Sequence, residues 1–135
     1  GDTVLCHVAQ LLRDTVRRGD LAGRIGGEEF VAICLDSDVD GVMQLAERLR
    51  AAMESHGIPM AAGGQMLRCT VTIGVSHHFS SPQGLESAMQ QADAALYRGK
   101  AAGRNRVEPA AGGQDDDTRV SSRAATDRTG PVHVA

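Results

Sequence analysis

Two acidic residues placed directly after a pair of glycines are the first position in this chain that could do chemistry: Arg24-Ile25-Gly26-Gly27-Glu28-Glu29-Phe30. Glycines let the backbone turn tightly and let a bulky ligand approach it. Neighbouring side chains on a strand point to opposite faces, so Glu28 and Glu29 should not share one task. Hard carboxylate oxygens beside an open turn suit Mg²⁺ carried in with nucleotide phosphates. The same residues also describe an ordinary hairpin tip with solvated acids, and alone they leave both readings open.

A second cluster follows Tyr97: Lys100-Ala101-Ala102-Gly103-Arg104-Asn105-Arg106. Cations at this spacing around a glycine could clamp phosphate oxygens. They would equally serve a helix C-terminus, where basic residues offset the dipole and glycine ends the helix. Lys100 is the sole lysine among 14 basic residues, the others being arginine. A third cluster is Arg17-Arg18-Gly19-Asp20. An arginine fork can take a phosphate or a guanine edge, and a carboxylate can accept from guanine N–H groups. A local ion pair of small worth is the plainer alternative.

These residues need elements to position them. Val4, Leu5, Val8, Leu11, Leu12 and Val16 recur at helical spacing, which predicts a helix over residues 3–17 with Asp2 as its N-cap. Gly19-Asp20 stops it. Leu21 to Ile25 and Phe30 to Leu35 read as two strands of a hairpin, the second a continuous apolar run and so buried. A second helix is predicted from about Asp40 to Ser55, with Val42, Leu45, Ala46, Leu49, Ala52 and Met53 on one stripe. Gly57-Ile58-Pro59 ends it, and Gly63-Gly64 is a turn. Residues 69–76 alternate as a half-buried strand, residues 83–98 form a third helix, and Arg106-Val107 a last short strand. Helices packed on a largely antiparallel sheet follow from that order. From about Pro109 apolar periodicity is lost, which predicts a disordered tail over residues 109–135.

Composition excludes several classes. The 135 residues suffice for one domain, and 41% are apolar. Only Phe30, Phe79 and Tyr97 are aromatic, so the core must be aliphatic. A net charge of −3 offers no broad basic surface to a nucleic-acid backbone. No stretch approaches the ~20 apolar residues of a membrane span, and residues 1–20 do not read as a signal peptide with a charged start and an apolar run. Cys6, Cys34 and Cys69 are odd in number and widely spaced, so they read as reduced core residues of a cytoplasmic protein. His77-His78 reads as a loop pair without a third ligand, and His7 as packing or surface.

Taken together, the motifs resemble the GGDEF family of diguanylate cyclases over residues 1–108. The resemblance is carried by Gly1-Asp2-Thr3-Val4-Leu5, by Arg24 with Gly26-Gly27-Glu28-Glu29-Phe30, and by Thr72-Ile73-Gly74-Val75. It is also carried by Ala92-Asp93-Ala94-Ala95-Leu96-Tyr97 and by Lys100 through Asn105. It implies an α/β sandwich of the nucleotidyl-cyclase, palm-like kind. It implies Glu28 as the metal-binding acid, replacing the signature's usual Asp, and Glu29 as the second acid, binding metal or activating the attacking 3′-hydroxyl. Gly26 and Gly27 would line the nucleotide, Asp2 would read the guanine edge, and Lys100 and Arg104 would hold the β- and γ-phosphates. Asp93 and Tyr97 would pack and pin the last helix. Arg17 and Asp20 match the family's inhibitory RxxD product site, which Arg48 would complete.

The implied reaction joins two GTP into cyclic di-GMP with release of two pyrophosphates, on Mg²⁺ (or Mn²⁺), between two facing protomers. An N-terminal sensory or receiver domain in a parent bacterial protein would supply the dimerisation. The sequence departs from the family at its start. The first strand is missing, and with it an Asp that co-ligates the metals, a Phe-Lys phosphate loop and an Asn that reads guanine. The chain also begins without Met, so it is expected to be a piece of a longer protein, inactive alone, with a sheet short of its central strand. A catalytically dead cyclic di-GMP-binding module is the alternative function, and a purely structural dimerisation domain a third.

Overall fold

In the computed structural model, residues 2–35, 37–61, 63–76, 79–111 and 130–134 are described. Helix α1 spans Asp2–Thr15 and leads into the hairpin of β1 (Leu21–Gly26) and β2 (Glu29–Cys34). Helix α2 (Val39–Ser55) follows, begun by the Asp38 side chain accepting from the Gly41 N–H. Two short strands, β3 (Ile58–Pro59) and β4 (Met66–Leu67), pair antiparallel. Then come β5 (Ile73–Val75), α3 (Pro82–Ala101), β6 (Val107–Pro109) and β7 (Gly130–Val134). Ser81 caps α3, with Pro82 in the first turn.

The main sheet has the order β1-β2-β7-β5-β6. All its pairings are antiparallel except β5 with β6. Its helices lie on both faces. Phe30, Ala32, Cys34, Ile73 and Val75 join one buried cluster with Val8 and Leu12 of α1 and Val42, Leu45, Leu49 and Met53 of α2. On the other face α3 lies so close to β5 that a Cβ on Gly74 would sit 2.1 Å from the Ala92 carbonyl oxygen and 2.6 Å from the Leu96 nitrogen. The aliphatic core expected from composition is what is found, with Phe30 its only buried aromatic among the described residues.

Several expectations need correction. The strand over residues 69–76 is shorter and is buried on both faces, because α3 covers the side that alternation had assigned to solvent; Thr72 and Ser76 are both buried. The run from Phe30 to Leu35 is buried on one face only, with Leu35 exposed. Cys34 is buried and Cys69 partly so, but Cys6 is exposed on α1. Tyr97 is 76% exposed and does not pack the last helix; Ala88, Ala92, Ala95, Leu96 and Gly99 do. The pair His77-His78 lies outside the described residues.

The largest difference concerns the region from Pro109. Most of it, and so most of the expected tail, lies outside the described residues. Gly130–Val134, however, forms β7, hydrogen-bonded between β2 and β5 at the centre of the sheet. The slot expected to lack a strand is therefore occupied, by a segment whose Gly130-Pro131 start masked its strand character in the sequence.

The close approach at Gly74 sets a test. Gly74→Ala should lower unfolding free energy by about 1–3 kcal/mol, since helix and strand backbones must separate to admit one methyl. Urea unfolding of the variant checks this, and an unchanged midpoint would contradict the packing described.

Candidate functional site

The glycine pair sits at the hairpin tip. Gly26 pairs with Glu29 across it, with a register irregularity between Arg24 and Gly26. Gly26 has φ 153° and Gly27 φ 49°, conformations that favour glycine. A Cβ on either would meet nothing within 4 Å, so the tip is open space. Arg24 folds back over the turn, its Nε donating to the Gly27 carbonyl at 2.8 Å. Glu28 stands exposed at the apex, and Glu29 is half-buried at the start of β2.

The cations are reached by following one row of residues across the sheet. Phe30 is opposite Val134, Val134 opposite Ile73, and Ile73 opposite Val107. The hairpin tip lies just beyond Phe30. On the same edge, just before Val107, lie Arg104, Asn105 and Arg106, and the Ile73 N–H donates to the Arg106 carbonyl at 2.9 Å. The last turn of α3, which carries Lys100, reaches this edge too: a Cβ on Gly99 would sit 2.8 Å from Thr72 Cγ2. Both acids and both cations therefore share one end of the sheet. Three inter-strand steps of ~4.8 Å separate β2 from β6, roughly 14 Å in all. A bound ligand, not direct contact, would have to bridge them.

Asp2 lies in the first turn of α1. Ala9, Leu12 and Arg13 line a cleft with Ala22, Gly23, Arg24 and Phe30, so α1 runs alongside β1. The short connection from Thr15 to Leu21 makes the two antiparallel, which directs the Asp2 end of α1 toward the hairpin tip.

Arg17 and Asp20 are at the opposite end of the hairpin, about 17–20 Å from the tip along the six residues of β1. Both Asp20 oxygens are engaged: Oδ2 accepts from the Arg17 N–H and Oδ1 from the Leu35 N–H, each at 2.9 Å. This carboxylate ties the entrance of β1 to the exit of β2. Arg17 is exposed, and so is Arg48 on α2; neither hydrogen bond nor ion pair joins Arg48 to Arg17 or Asp20 among the described residues. Beneath them, burial pushes the Cys34 thiol up to about 11, Asp20 adding to the rise and Arg17 opposing it. A thiol so held is protonated at neutral pH and inert.

Sequence reasoning passed over Arg50, Glu54 and the conformation of Asn105. Arg50 bonds Glu47, Glu54 and Asn105 together, and Arg104 and Asn105 both have positive φ. The Glu47, Arg50 and Glu54 spacing on one helix face was a readable signal. So was an Asn directly after Gly-Arg at a helix end, because Asn tolerates the left-handed region.

Comparison with known proteins supplies the family. The pattern described as "Diguanylate cyclase, GGDEF domain" matches residues 1–106. The chain belongs to the GGDEF family. It is 41% identical over 110 residues to diguanylate cyclase DgcM of Escherichia coli K12, covering 79% of this chain and 25% of that protein. The GGDEF domain of DgcB from Caulobacter crescentus, solved with its coiled coil in complex with c-di-GMP, superimposes with a TM-score of 0.73 at 31% identity. That match covers 81% of this chain and 57% of the other. The active GGEEF domain of a diguanylate cyclase from Vibrio cholerae superimposes with a TM-score of 0.67, also at 31% identity, covering 81% of this chain and 67% of that one. The chain spans about a quarter of the length of the curated relatives it matches. The GGDEF neighbours agree with the palm-like α+β fold expected from the motifs.

Asp20 yields a prediction about stability. Asp20→Ala should cost about 1–3 kcal/mol, because two backbone N–H groups lose a charged acceptor. Arg17→Ala should change stability by less than ~0.5 kcal/mol. Denaturant titrations of both variants check the difference, and equal losses would mean that the carboxylate does not tie the strands.

Proposed function

We propose that this chain is the GTP-handling part of a diguanylate cyclase, joining two GTP into cyclic di-GMP with release of two pyrophosphates. The observation that supports it is the shared row: Glu28 and Glu29 at the tip and Lys100 and Arg104 beyond Val107 occupy one end of one sheet. In this reading Lys100 and Arg104 hold the β- and γ-phosphates. Gly26 and Gly27 leave room for the nucleotide against bare backbone, and Asp2 accepts from the guanine edge. Glu28 and Glu29 are hard oxygen donors suited to Mg²⁺ (or Mn²⁺), and Glu29 either joins Glu28 in holding the metal or activates the attacking 3′-hydroxyl. When bound, the metal offsets charge building on the phosphates. What the chain itself contributes is positioning and fixed charge.

Each protomer holds one GTP, and each 3′-hydroxyl attacks the α-phosphate held by the other, so a homodimer is part of the mechanism. An N-terminal sensory or receiver domain of the parent bacterial protein brings the two together in the cytoplasm. Among the described residues no group of three or more His, Cys, Asp or Glu converges. Two glutamates leave most of the metal's coordination to phosphate and water, so the chain alone should turn over GTP barely if at all. Incubation with Mg²⁺ and GTP, read by chromatography, tests this; cyclic di-GMP formed at a rate ordinary for an enzyme would refute it. Lys100→Ala and Arg104→Ala should each weaken GTP binding roughly tenfold or more, at ~1.5–3 kcal/mol per charged hydrogen bond. Unchanged affinity in both would remove the assignment.

A second reading is favoured by the separation of the two ends. Arg17 is exposed beside a fixed Asp20, far from the tip acids, and could bind cyclic di-GMP whether or not catalysis survives. We place product inhibition there, with Arg48 as its third member. Calorimetry with cyclic di-GMP should show binding that Arg17→Ala weakens by roughly tenfold or more. Binding without turnover favours a receptor role, and no binding at all excludes both the inhibitory site and the receptor.

A further inference from the structure

The segment that carries Arg104 is held in an unusual way. Arg104 and Asn105 have φ 62° and 48°, two successive non-glycine residues in the left-handed region. Such conformations are costly and persist only where the surroundings fix them. Here they are fixed from four directions. The Arg104 N–H donates to the Gly99 carbonyl at 3.0 Å. The Asn105 N–H donates to Thr72 Oγ1 at 3.2 Å. The Asn105 side-chain oxygen accepts from Arg50 Nη1 at 2.8 Å, and its nitrogen donates to Glu54 at 2.9 Å. Only this orientation of the amide satisfies both neighbours; turned over, it would set NH₂ against a guanidinium and oxygen against a carboxylate.

Arg50 is itself fixed. Its Nε and Nη2 donate to Glu47 at 2.9 and 2.6 Å, and Nη1 to Glu54 at 2.7 Å. Its side chain is only 16% exposed, against 55% for Glu47 and 50% for Glu54. Ion pairs within one exposed helix contribute little to stability. This one does something further, since it spans from α2 to the loop between α3 and β6.

We propose that Arg50, with Glu54 and Asn105, is a positioning clamp that sets the direction of Arg104 toward the triphosphate. The proposal deepens the reading of Lys100 and Arg104 as phosphate holders and rests on it. Arg50 donates to Glu47, Glu54 and Asn105 and makes no bond to Arg104 among the described residues, so it acts through Asn105. Arg48, two residues earlier, lies on a different face of the same helix and has no part in the clamp.

The test uses the full 135-residue chain. Arg50→Met removes the donors while keeping the aliphatic stem, and Asn105→Gly removes the amide while accepting the positive φ without strain. Hydrogen exchange should show the Arg104 and Asn105 amides losing protection at least about tenfold in either variant, with Leu49 and Ile73 unchanged. NMR titration should show GTP binding, with Mg²⁺, weakened roughly tenfold or more by Arg50→Met, as expected when a phosphate contact is misplaced. Guanosine monophosphate binding should not move. In an Arg104→Ala background, Arg50→Met should add nothing to the loss. Unchanged loop protection in both variants would overturn the clamp, as would a GTP effect of full size when Arg104 is absent. If Arg104→Ala and Lys100→Ala leave GTP affinity untouched, the phosphate reading fails first, and the clamp's role toward phosphate fails with it.

Discussion

Backbone hydrogen bonds along both edges of β7 join the hairpin β1–β2 to the pair β5–β6. The tip acids belong to the first pair and the loop cations adjoin the second. Without a strand between them, nothing in the sheet would set one pair in register with the other, and a slip of one residue would also exchange the two faces of every strand. The row Phe30, Val134, Ile73, Val107 expresses that register. The helices then add depth: α1 and α2 fill the face behind Phe30 and Ile73, while α3 presses on Gly74 and, through its own Gly99, on Thr72.

The candidate site is built largely from chain termini of elements. Glu28 and Glu29 are at a hairpin turn, Lys100 in the last turn of a helix, Arg104 in a left-handed loop, and Asp2 in a first turn. Such positions lie at the ends of rigid elements, which fix where each residue sits. The opposite end of the hairpin follows the same logic, with Asp20 bonding two backbone N–H groups and leaving Arg17 exposed. The hairpin thus separates the tip acids from the Arg17–Asp20 end by its own length.

Much of this was legible in the sequence, for reasons that can be named. The helical stripe from Val42 to Met53, the Gly26-Gly27 turn and the stop at Gly103 each follow from local rules that tertiary context did not override. The tip acids and the last-helix cations were also visible as residue types. Their joint placement was not, because it depends on pairing between residues far apart in the chain. Gly130–Val134 escaped detection because a short strand opening with Gly-Pro carries almost no local signal. The two-sided burial of β5 was hidden for a related reason: Thr72 and Ser76 look solvent-facing until α3 lies over them. The packing role that the resemblance implied for Tyr97 differs in the other direction, since the rotation of α3 turns Ala92, Ala95 and Leu96 inward and leaves the ring exposed.

Strand β1 lies at the edge of the sheet, with Leu21 and Ile25 exposed along it. A long regular edge of that kind would template pairing with any other extended chain. The irregularity between Arg24 and Gly26 breaks the ladder near its end. The irregularity beside the open glycine turn therefore also shortens the stretch on which an unwanted strand could add, so one local departure from ideal pleating both shapes the tip and guards the edge.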